Sequence, residues 1–173
     1  MIRALYVGRF QPPHIGHSKA IQQIMKKVNE LIIIIGSAQS SHSIDNPFTV
    51  GERIIMLRAT LDEMRIDPSR YYLIPVPDAS MHAVWVSQVK YYSPPFDIVY
   101  SNGPLTLRLF REAGIKVEGI PLFKREIYSA TEVRTRMLEG EDWMILLPNN
   151  VVKIIKSIGG VERLRDLAGN DRP

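Results

Sequence analysis

Two histidines lie three residues apart in the segment at residues 8–17, GRFQPPHIGH. The second of them, His17, follows directly on Gly16, and His14 precedes that glycine by two positions. Where a strand passes into a helix, two imidazoles at this spacing can both face one ligand. The free amides and positive dipole end of a helix start favour an anion, and histidine donors can add to them as phosphate charge develops. The segment therefore predicts a phosphate site, although it matches neither a dinucleotide GxGxxG loop nor a Walker P-loop.

A zinc site is one alternative for a pair of histidines. Zinc requires three or four protein ligands, and the sequence offers no third ligand near His14 and His17 and no His-Glu-x-x-His pattern, so we predict no metal held by the protein itself. A second alternative is purely structural, with His14 capping a helix and His17 a surface ring. His42 and His82 have no comparable context and receive no role.

Short apolar runs alternate with helix-like stretches along the chain, and this alternation predicts a parallel sheet. The second run is apolar on both faces, which is typical of a strand in the middle of such a sheet. We therefore expect an α/β fold, a doubly wound Rossmann-like sheet of about five parallel strands. The runs are residues 2–7, 31–35, 71–76, 96–100 and 117–122.

Ligands of open parallel sheets bind beyond the carboxyl ends of the strands, so the residues that follow each run matter most. Arg9 follows the first run, Asp78 the third and Asn102 the fourth, while Ser129 and Thr131 come after the fifth. Small and polar residues are thus expected to meet at one edge of the sheet.

Helix starts are indicated by two capping-box patterns, Thr49 with Glu52 and Ser129 with Glu132, which predict helices that begin near residues 50 and 130. A C-terminal helical segment at about residues 149–167 is interrupted at Gly159-Gly160, and the last five residues are expected to fray. With no linker or repeat in view, we expect one domain over residues 1–173 with this segment packed on it.

Composition excludes several classes of protein. The chain has 173 residues, 45% hydrophobic and 23% charged, which is typical of one folded domain rather than a disordered or fibrous protein. No cysteine is present, so disulfides and a thiol nucleophile are excluded, and a cytoplasmic location is expected. No apolar run is long enough to cross a membrane. The net charge of +4 comes without clustered lysines and arginines, so we expect a small polyphosphate partner and no nucleic acid.

Residues 8–17 resemble the H-x-G-H motif of the nucleotidyltransferase superfamily, and residues 129–134, SATEVR, resemble its second motif, Ser-x-Thr-x-x-Arg. Four longer segments resemble the archaeal nicotinamide-nucleotide adenylyltransferases, and they are spread over most of the chain. These segments are GRFQP at residues 8–12, GSAQSSHS at 36–43, NPFTVGER at 46–53 and YSATEVR at 128–134.

The resemblance implies an enzyme that joins ATP and nicotinamide mononucleotide (NMN) into NAD and pyrophosphate, with Mg²⁺ accompanying the ATP. No covalent intermediate is needed, because alignment and charge stabilisation can carry an in-line phosphoryl transfer. It also implies a homo-oligomer such as a hexamer. The implied catalytic residues are His14, His17, Arg134 and Arg9; those that contact ATP are Gly8, Phe10, Gln11, Gly16, Ser129 and Thr131; those that contact NMN are Asp78, Trp85 and Asn102.

Several alternatives stay open at this point. Trp85 could be a core residue instead of a stacking platform for nicotinamide, and Arg9 could hold either the triphosphate or the acceptor phosphate. The loop at residues 41–46 carries Asp45 and no Lys or Arg, which argues against a phosphate contact from this loop. A related nucleotidyltransferase with another acceptor, such as phosphopantetheine, would use similar phosphate motifs, and a non-catalytic nucleotide-binding protein would keep the pocket.

Overall fold

The five strands of the computed structural model, which describes residues 1–121 and 123–169, form one parallel sheet in the order β3-β2-β1-β4-β5. The order reverses direction beside β1, which is the switch point of a doubly wound sheet. The predicted fold class is confirmed. The strands are β1 Arg3–Gly8, β2 Glu30–Ile35, β3 Tyr71–Pro75, β4 Ile98–Tyr100 and β5 Lys116–Glu118.

Strand β2 shows why the sequence folds this way. Its five consecutive apolar residues, numbers 31–35, are all fully buried, so both faces of the strand are covered. Strand β4 is shorter than its predicted run, and Phe96, which precedes the strand, packs edge-on against Phe110. Strand β5 ends at Glu118, before the end of the predicted run, and Leu122 lies outside the described residues.

Seven α-helices lie within the described residues, and each of the predicted helix starts is found. Thr49 caps the helix that begins at Val50, and Ser129 caps the helix that begins at Ala130, as expected. None of these helices is long and apolar enough to cross a membrane. They are α1 Ile15–Met25, α2 Val50–Glu63, α3 Trp85–Tyr92, α4 Pro104–Glu112, α5 Ala130–Glu139, α6 Asn149–Ser157 and α7 Gly160–Gly169.

The chain divides into two units. The sheet unit consists of Met1–Arg9, Ala20–Ala38 and Asp67–Pro121, and the helical unit of Phe10–Lys19, Gln39–Ile66 and Leu122–Pro173. The expectation of a single domain over residues 1–173 stays a prediction. In the sheet unit, α3 and α4 bury Val86, Val89 and Phe110 in one cluster with Leu5 and Ile32 of the sheet.

The helical unit has its own apolar core, in which α6 packs on α2 and α7 packs on α5 and α6. The predicted break in the C-terminal segment is present at Gly159, which has a φ of +63° between α6 and α7. Of the last five residues, where fraying was expected, Gly169 belongs to α7 and residues 170–173 lie outside the described residues. Buried core residues include Phe48, Met56, Val133, Met137, Trp143, Leu147, Val151, Ile155 and Leu164.

The two predicted capping boxes differ in detail. At Thr49 the box is complete, because its hydroxyl accepts from the Glu52 amide while the Glu52 carboxylate accepts from the Thr49 amide. At Ser129 the hydroxyl accepts from the Glu132 amide. The Glu132 carboxylate, however, accepts from Arg136 one turn along α5, at 2.8 Å, because that cation is available on the same helix face.

Candidate active site

The two histidines of the predicted phosphate site lie against each other at the first turn of α1. Their ring centroids are 3.7 Å apart, and the Phe10 ring lies 4.7 Å from the His17 ring. The carbonyl of His14 accepts hydrogen bonds from the amides of His17 and Ser18, so His14 stands at the start of the helix. The turn therefore brings both imidazoles and the helix N-terminus together within the helical unit.

The hydrogen bond inside this turn sets the tautomer of His17. The backbone N–H of His14 donates to Nδ1 of His17 at 3.2 Å, so Nδ1 carries no proton and the neutral ring carries its proton on Nε2. Burial, with a smaller contribution from the adjacent His14 ring, holds the pKa of His17 well below its usual value of 6.5. At neutral pH this ring is an uncharged hydrogen-bond donor through Nε2.

His14 is buried as well, with 7% of its surface exposed. This burial lowers the pKa of His14 from 6.5 to about 4, so it too is uncharged at neutral pH. Its Nδ1 is buried and has no hydrogen-bond partner in the protein. A buried polar atom without a partner costs about 1–3 kcal/mol and is uncommon in native structures, and it is found where a ligand or ion supplies the missing bond.

The glycine of the motif gives the His14 ring its space. A Cβ at position 16 would lie 2.9 Å from both Cε1 and Nδ1 of His14, and 3.1 Å from the carbonyl oxygen of Tyr128. Distances this short are not tolerated between a Cβ and a buried ring or backbone. Any other residue would push the His14 ring or the Tyr128 backbone out of place.

The second motif supplies a buried cation to the same segment. Arg134, on α5, is 5% exposed, and its Nη1 donates to the carbonyl oxygen of Gln11 at 2.9 Å. This bond joins positions 123 residues apart, so it links the H-x-G-H segment to the Ser-x-Thr-x-x-Arg segment. The other terminal nitrogen, Nη2, pairs with Asp45 at 3.3 Å. A guanidinium in this position offers the geometry that suits phosphate oxygens.

Two residues expected to contact ATP have side chains that hold the loop in shape. The Gln11 amide, 1% exposed, donates to the Phe48 carbonyl and accepts from the Phe48 amide at 2.9 and 3.0 Å. Phe10 is buried beside His17 with a φ of +55°, a left-handed conformation that non-glycine residues adopt mainly where the surroundings enforce it. The sequence did not reveal the bonds between Gln11 and Phe48, because these two residues are 37 positions apart along the chain.

The remaining residues of the helical unit lie at the start of α5. The Ser129 hydroxyl caps the helix, and Thr131 is exposed on the first turn. These positions form the N-terminal end of α5, whose dipole favours an anion. Within the helical unit lie three of the predicted catalytic residues, His14, His17 and Arg134, and five of the predicted ATP contacts, Phe10, Gln11, Gly16, Ser129 and Thr131.

The other predicted residues belong to the sheet unit. Gly8 accepts a bond from the Gly36 amide at 2.9 Å, and Arg9 is exposed directly after β1. Asp78 is exposed and accepts from the Ser37 hydroxyl at 3.0 Å. These bonds connect the ends of β1, β2 and β3, which confirms that the strands end at one edge of the sheet, as predicted from the fold.

Trp85 and Asn102 have contacts that the sequence left open. Trp85 is half-buried at the start of α3, and its ring packs edge-on against Phe110 with centroids 5.5 Å apart. The Asn102 side chain donates to the carbonyl of Ile120 and accepts from its amide, both at 2.9 Å, and so extends the pairing of β4 with β5 beyond the strands. The structure therefore gives Trp85 a packing contact and Asn102 a pair of structural hydrogen bonds, in addition to any ligand contact.

The chain is similar in sequence and fold to known proteins. A family model described as cytidylyltransferase-like matches residues 5–136. A nicotinamide-nucleotide adenylyltransferase from Archaeoglobus fulgidus is 49% identical over 98% of this chain and 99% of its own length. Another from Pyrococcus horikoshii is 53% identical over 98% of this chain and 91% of its own. The chain belongs to the nicotinamide-nucleotide adenylyltransferases of the cytidylyltransferase-like family.

A solved structure supports the fold at lower identity. The bifunctional NMN adenylyltransferase/ADP ribose pyrophosphatase from Francisella tularensis superimposes with a TM-score of 0.80 at 20% identity over 98% of this chain. The chain spans about half of that protein's length, 53%. At this identity the likeness concerns the fold, and the chain is by family a nucleotidyltransferase.

Proposed function

We propose that this chain transfers the AMP part of ATP to NMN, giving NAD and pyrophosphate. The observation that carries the proposal is the bond from buried Arg134 to the loop that holds the two uncharged histidines. The relatives named above support NMN as the acceptor. ATP binding, which the family relationship implies, is supported here by the phosphate-binding character of this cluster.

The reaction follows from the groups in the cluster. An oxygen of the NMN phosphate attacks the α-phosphorus of ATP in line, a new phosphorus–oxygen bond forms, and pyrophosphate leaves with the electrons of the broken bond. Negative charge grows on the leaving group. His17 donates to it from Nε2, and Arg134 holds the β- and γ-phosphates, so both groups stabilise the transition state by charge. No protein nucleophile is required.

The acceptor residues follow from the sheet unit. Trp85 presents a half-buried indole, on which a cationic nicotinamide ring can stack. Asp78 is an exposed carboxylate fixed by Ser37 and can accept hydrogen bonds from the sugar or amide of NMN. Asn102 keeps one donor and one acceptor position beyond its bonds to Ile120. Arg9, exposed after β1, supplies a cation for a phosphate.

A divalent cation is expected to enter with ATP. A related F. tularensis structure is described as complexed with AMP and a manganese ion. Within residues 1–121 and 123–169, no group of three His, Cys, Asp or Glu side chains could hold a metal ion. We propose Mg²⁺ bound by the phosphates, which is usual for this ion, since it keeps its waters and takes few protein ligands. It would add positive charge beside the phosphates.

We further propose a homo-oligomer in the cytoplasm. Large apolar side chains are exposed on the described surface, among them Tyr91 at 84% and Ile145 at 59%, and an association surface would cover side chains of this kind. The absence of cysteine fits a reducing compartment.

The test is an incubation of the purified protein with ATP, Mg²⁺ and one acceptor at a time, with NAD and pyrophosphate both quantified. NMN, nicotinic acid mononucleotide and phosphopantetheine are the acceptors. We expect NAD and pyrophosphate in equal amounts with NMN. Adenylation of phosphopantetheine alone would refute NMN as the acceptor. Absence of pyrophosphate with every acceptor would refute the proposal that the protein is a catalyst of this transfer. The matched variants are Arg134→Gln, expected inactive, and Arg108→Gln, a surface arginine paired with Glu112 and expected active.

A further inference from the structure

The buried cation of the candidate site is already paired with an acid of the chain. Nη2 of Arg134 lies 3.3 Å from Oδ1 of Asp45. The two partners differ greatly in exposure, because the Arg134 side chain is 6% exposed and the Asp45 side chain 76%. The guanidinium is therefore fixed in the protein, while the carboxylate stands in water and reaches inward to it.

The backbone around Asp45 is held by a closed turn. The Ser43 amide donates to the Asn46 carbonyl at 3.3 Å, and the Asn46 amide donates to the Ser43 carbonyl at 3.1 Å. The Ser43 hydroxyl accepts from the Asn46 amide as well, at 3.2 Å. Because these bonds leave out the Asp45 side chain, the carboxylate can leave Arg134 by rotating about its own torsions while the turn stays closed.

We propose that Asp45 is an internal anion that neutralises Arg134 in the empty enzyme and competes with the triphosphate for Nη2. The proposal rests on the proposed function, in which Arg134 binds the β- and γ-phosphates. A buried guanidinium is costly without a counter-charge, so the pair stabilises the empty site. Because the Asp45 carboxylate stands in water, its attraction to Arg134 is screened on that side, so a polyanion of higher charge can displace it.

Two consequences follow for the catalytic cycle. ATP must displace the carboxylate when it binds, so Asp45 weakens the affinity for the triphosphate. When pyrophosphate has formed, the carboxylate is ready to return to Arg134 and so speeds product release. Asp45 thus adjusts the affinity for phosphate through Arg134, without itself contacting the reacting phosphorus.

The direct test measures binding of inorganic tripolyphosphate by calorimetry, because this probe reports on the phosphate site without the base. We expect Asp45→Asn to bind it about three- to tenfold more tightly, since one competing and repelling charge is removed. The matched control is Asp62→Asn, which removes the same charge from an exposed residue of the same unit paired with Arg58. Asp62→Asn should leave the affinity for tripolyphosphate unchanged. Adenosine should bind equally to the parent, to Asp45→Asn and to Asp62→Asn.

A double-mutant cycle with Arg134→Gln separates the inference from the proposed function. We expect Arg134→Gln to weaken tripolyphosphate binding and to abolish the gain from Asp45→Asn. If Arg134→Gln weakens binding but Asp45→Asn leaves it unchanged or weakens it, the inference is wrong and the proposed function stands. If a folded Arg134→Gln protein, verified by its melting curve, binds tripolyphosphate as tightly as the parent, the proposed role of Arg134 fails and the inference with it.

A kinetic measurement gives a second, independent readout. Stopped-flow dissociation of pyrophosphate should be slower for Asp45→Asn than for the parent and for Asp62→Asn. The difference between the variants should shrink as salt increases, because the effect is electrostatic and Asp45 is exposed. An unchanged dissociation rate, or a difference that is independent of salt, would overturn the competition that we infer.

Discussion

The backbone amide of His14 donates to Nδ1 of His17, and this bond of 3.2 Å turns the second imidazole into a donor through Nε2. The same turn places the two rings at a tilt of 32° with centroids 3.7 Å apart, so a positive charge on one ring would oppose a positive charge on the other. The spacing of the H-x-G-H motif therefore does more than place two histidines near one ligand. It sets the tautomer of the ring that the proposed mechanism uses, while burial keeps that ring uncharged at neutral pH.

His17→Ala should lower kcat about a hundredfold or more and change the KM for ATP little. The reason is that a donor to charge on the leaving group acts mainly in the transition state, and removal of single oxyanion-type donors has effects of this size. Steady-state kinetics with a melting curve are the measurement, and His82→Ala, an exposed histidine of the sheet unit, is the control. Near-normal kcat with a raised KM for ATP would show a binding role only.

Gly16→Ala should lower activity at least tenfold, because a Cβ there displaces the His14 ring or the Tyr128 carbonyl. The matched control is Gly51→Ala on α2, where a Cβ meets no atom closer than Thr49 Oγ1 at 4.0 Å. In a helix this control should be neutral or stabilising by up to about 1 kcal/mol. Kinetics and melting curves of both proteins decide it. Equal, normal activity of the two variants would contradict the packing argument.

Glu52→Gln should destabilise the protein by about 1–3 kcal/mol, since the carboxylate both completes the cap of α2 and binds Arg163 of α7 through two bonds of 2.8 Å. The Arg163 hydrogen bond is the main cause of the lowered pKa of Glu52. The ionised Glu52 carboxylate therefore stabilises the fold fully at pH values above its pKa in the unfolded chain. This stabilisation is lost as the pH falls through the lower pKa of Glu52 in the folded chain.

Denaturant unfolding at pH 7 and at acidic pH tests this, with Glu112→Gln as control. Glu112 pairs with Arg108 on the surface and should change stability by less than about 0.5 kcal/mol. A loss for Glu52→Gln that stays the same down to the most acidic pH would show that charge plays no part.

The buried histidines should make the protein less stable as pH falls from about 6.5 towards 4. Over this interval the unfolded chain binds a proton at His14 and the folded chain does not, because burial lowers its pKa from 6.5 to about 4. Each such histidine lowers the free energy of unfolding by up to about 1.4 kcal/mol per pH unit. His14→Gln should reduce this slope, which denaturant unfolding of both proteins across this pH interval measures. Equal slopes in the two proteins would contradict the burial effect.

Trp85→Ala should weaken NMN binding about two- to thirtyfold and ATP binding little, because stacking and cation–π contacts are worth about 0.5–2 kcal/mol. The ring also packs against Phe110, so a loss of stability is expected as well. Phe96→Leu is the matched control, because Phe96 packs edge-on against the same Phe110 ring. It should lower stability and leave NMN affinity unchanged. Calorimetry that shows equal weakening of both substrates by Trp85→Ala would identify Trp85 as a core residue only.

Much of the architecture was predictable from local pattern. The five apolar runs marked the five strands, and the run that is apolar on both faces became β2 because such a segment is most stable inside a covered parallel sheet. Thr49 and Ser129 marked the starts of α2 and α5, because a cap satisfies amides only a few residues away. The family was also readable from the two phosphate motifs, which are short and contiguous, and the comparisons confirm it.

The contacts of individual site residues needed the tertiary structure. Asn102, expected to recognise a ligand, is bonded to Ile120, and Gln11 is bonded to Phe48. Both are amides whose partners are backbone groups of distant segments. No property of the residue type distinguishes such a clamp from a ligand contact, so the sequence could place these residues at the edge of the sheet or in the loop but could not name their partners.

The sequence alone determined the strands, the helix starts and the phosphate-binding motifs, because these depend on periodicity and on interactions between near neighbours. Only the tertiary structure decided that Arg134 bonds to Gln11 across 123 positions and pairs with Asp45 in the same unit. Asp45 was visible as an acid in an otherwise matching segment, but the cation that it neutralises was not. The physical reason is that burial and charge pairing depend on which distant segments the packed chain brings together. Burial and charge pairing at Arg134 in turn set how easily a phosphate can bind there.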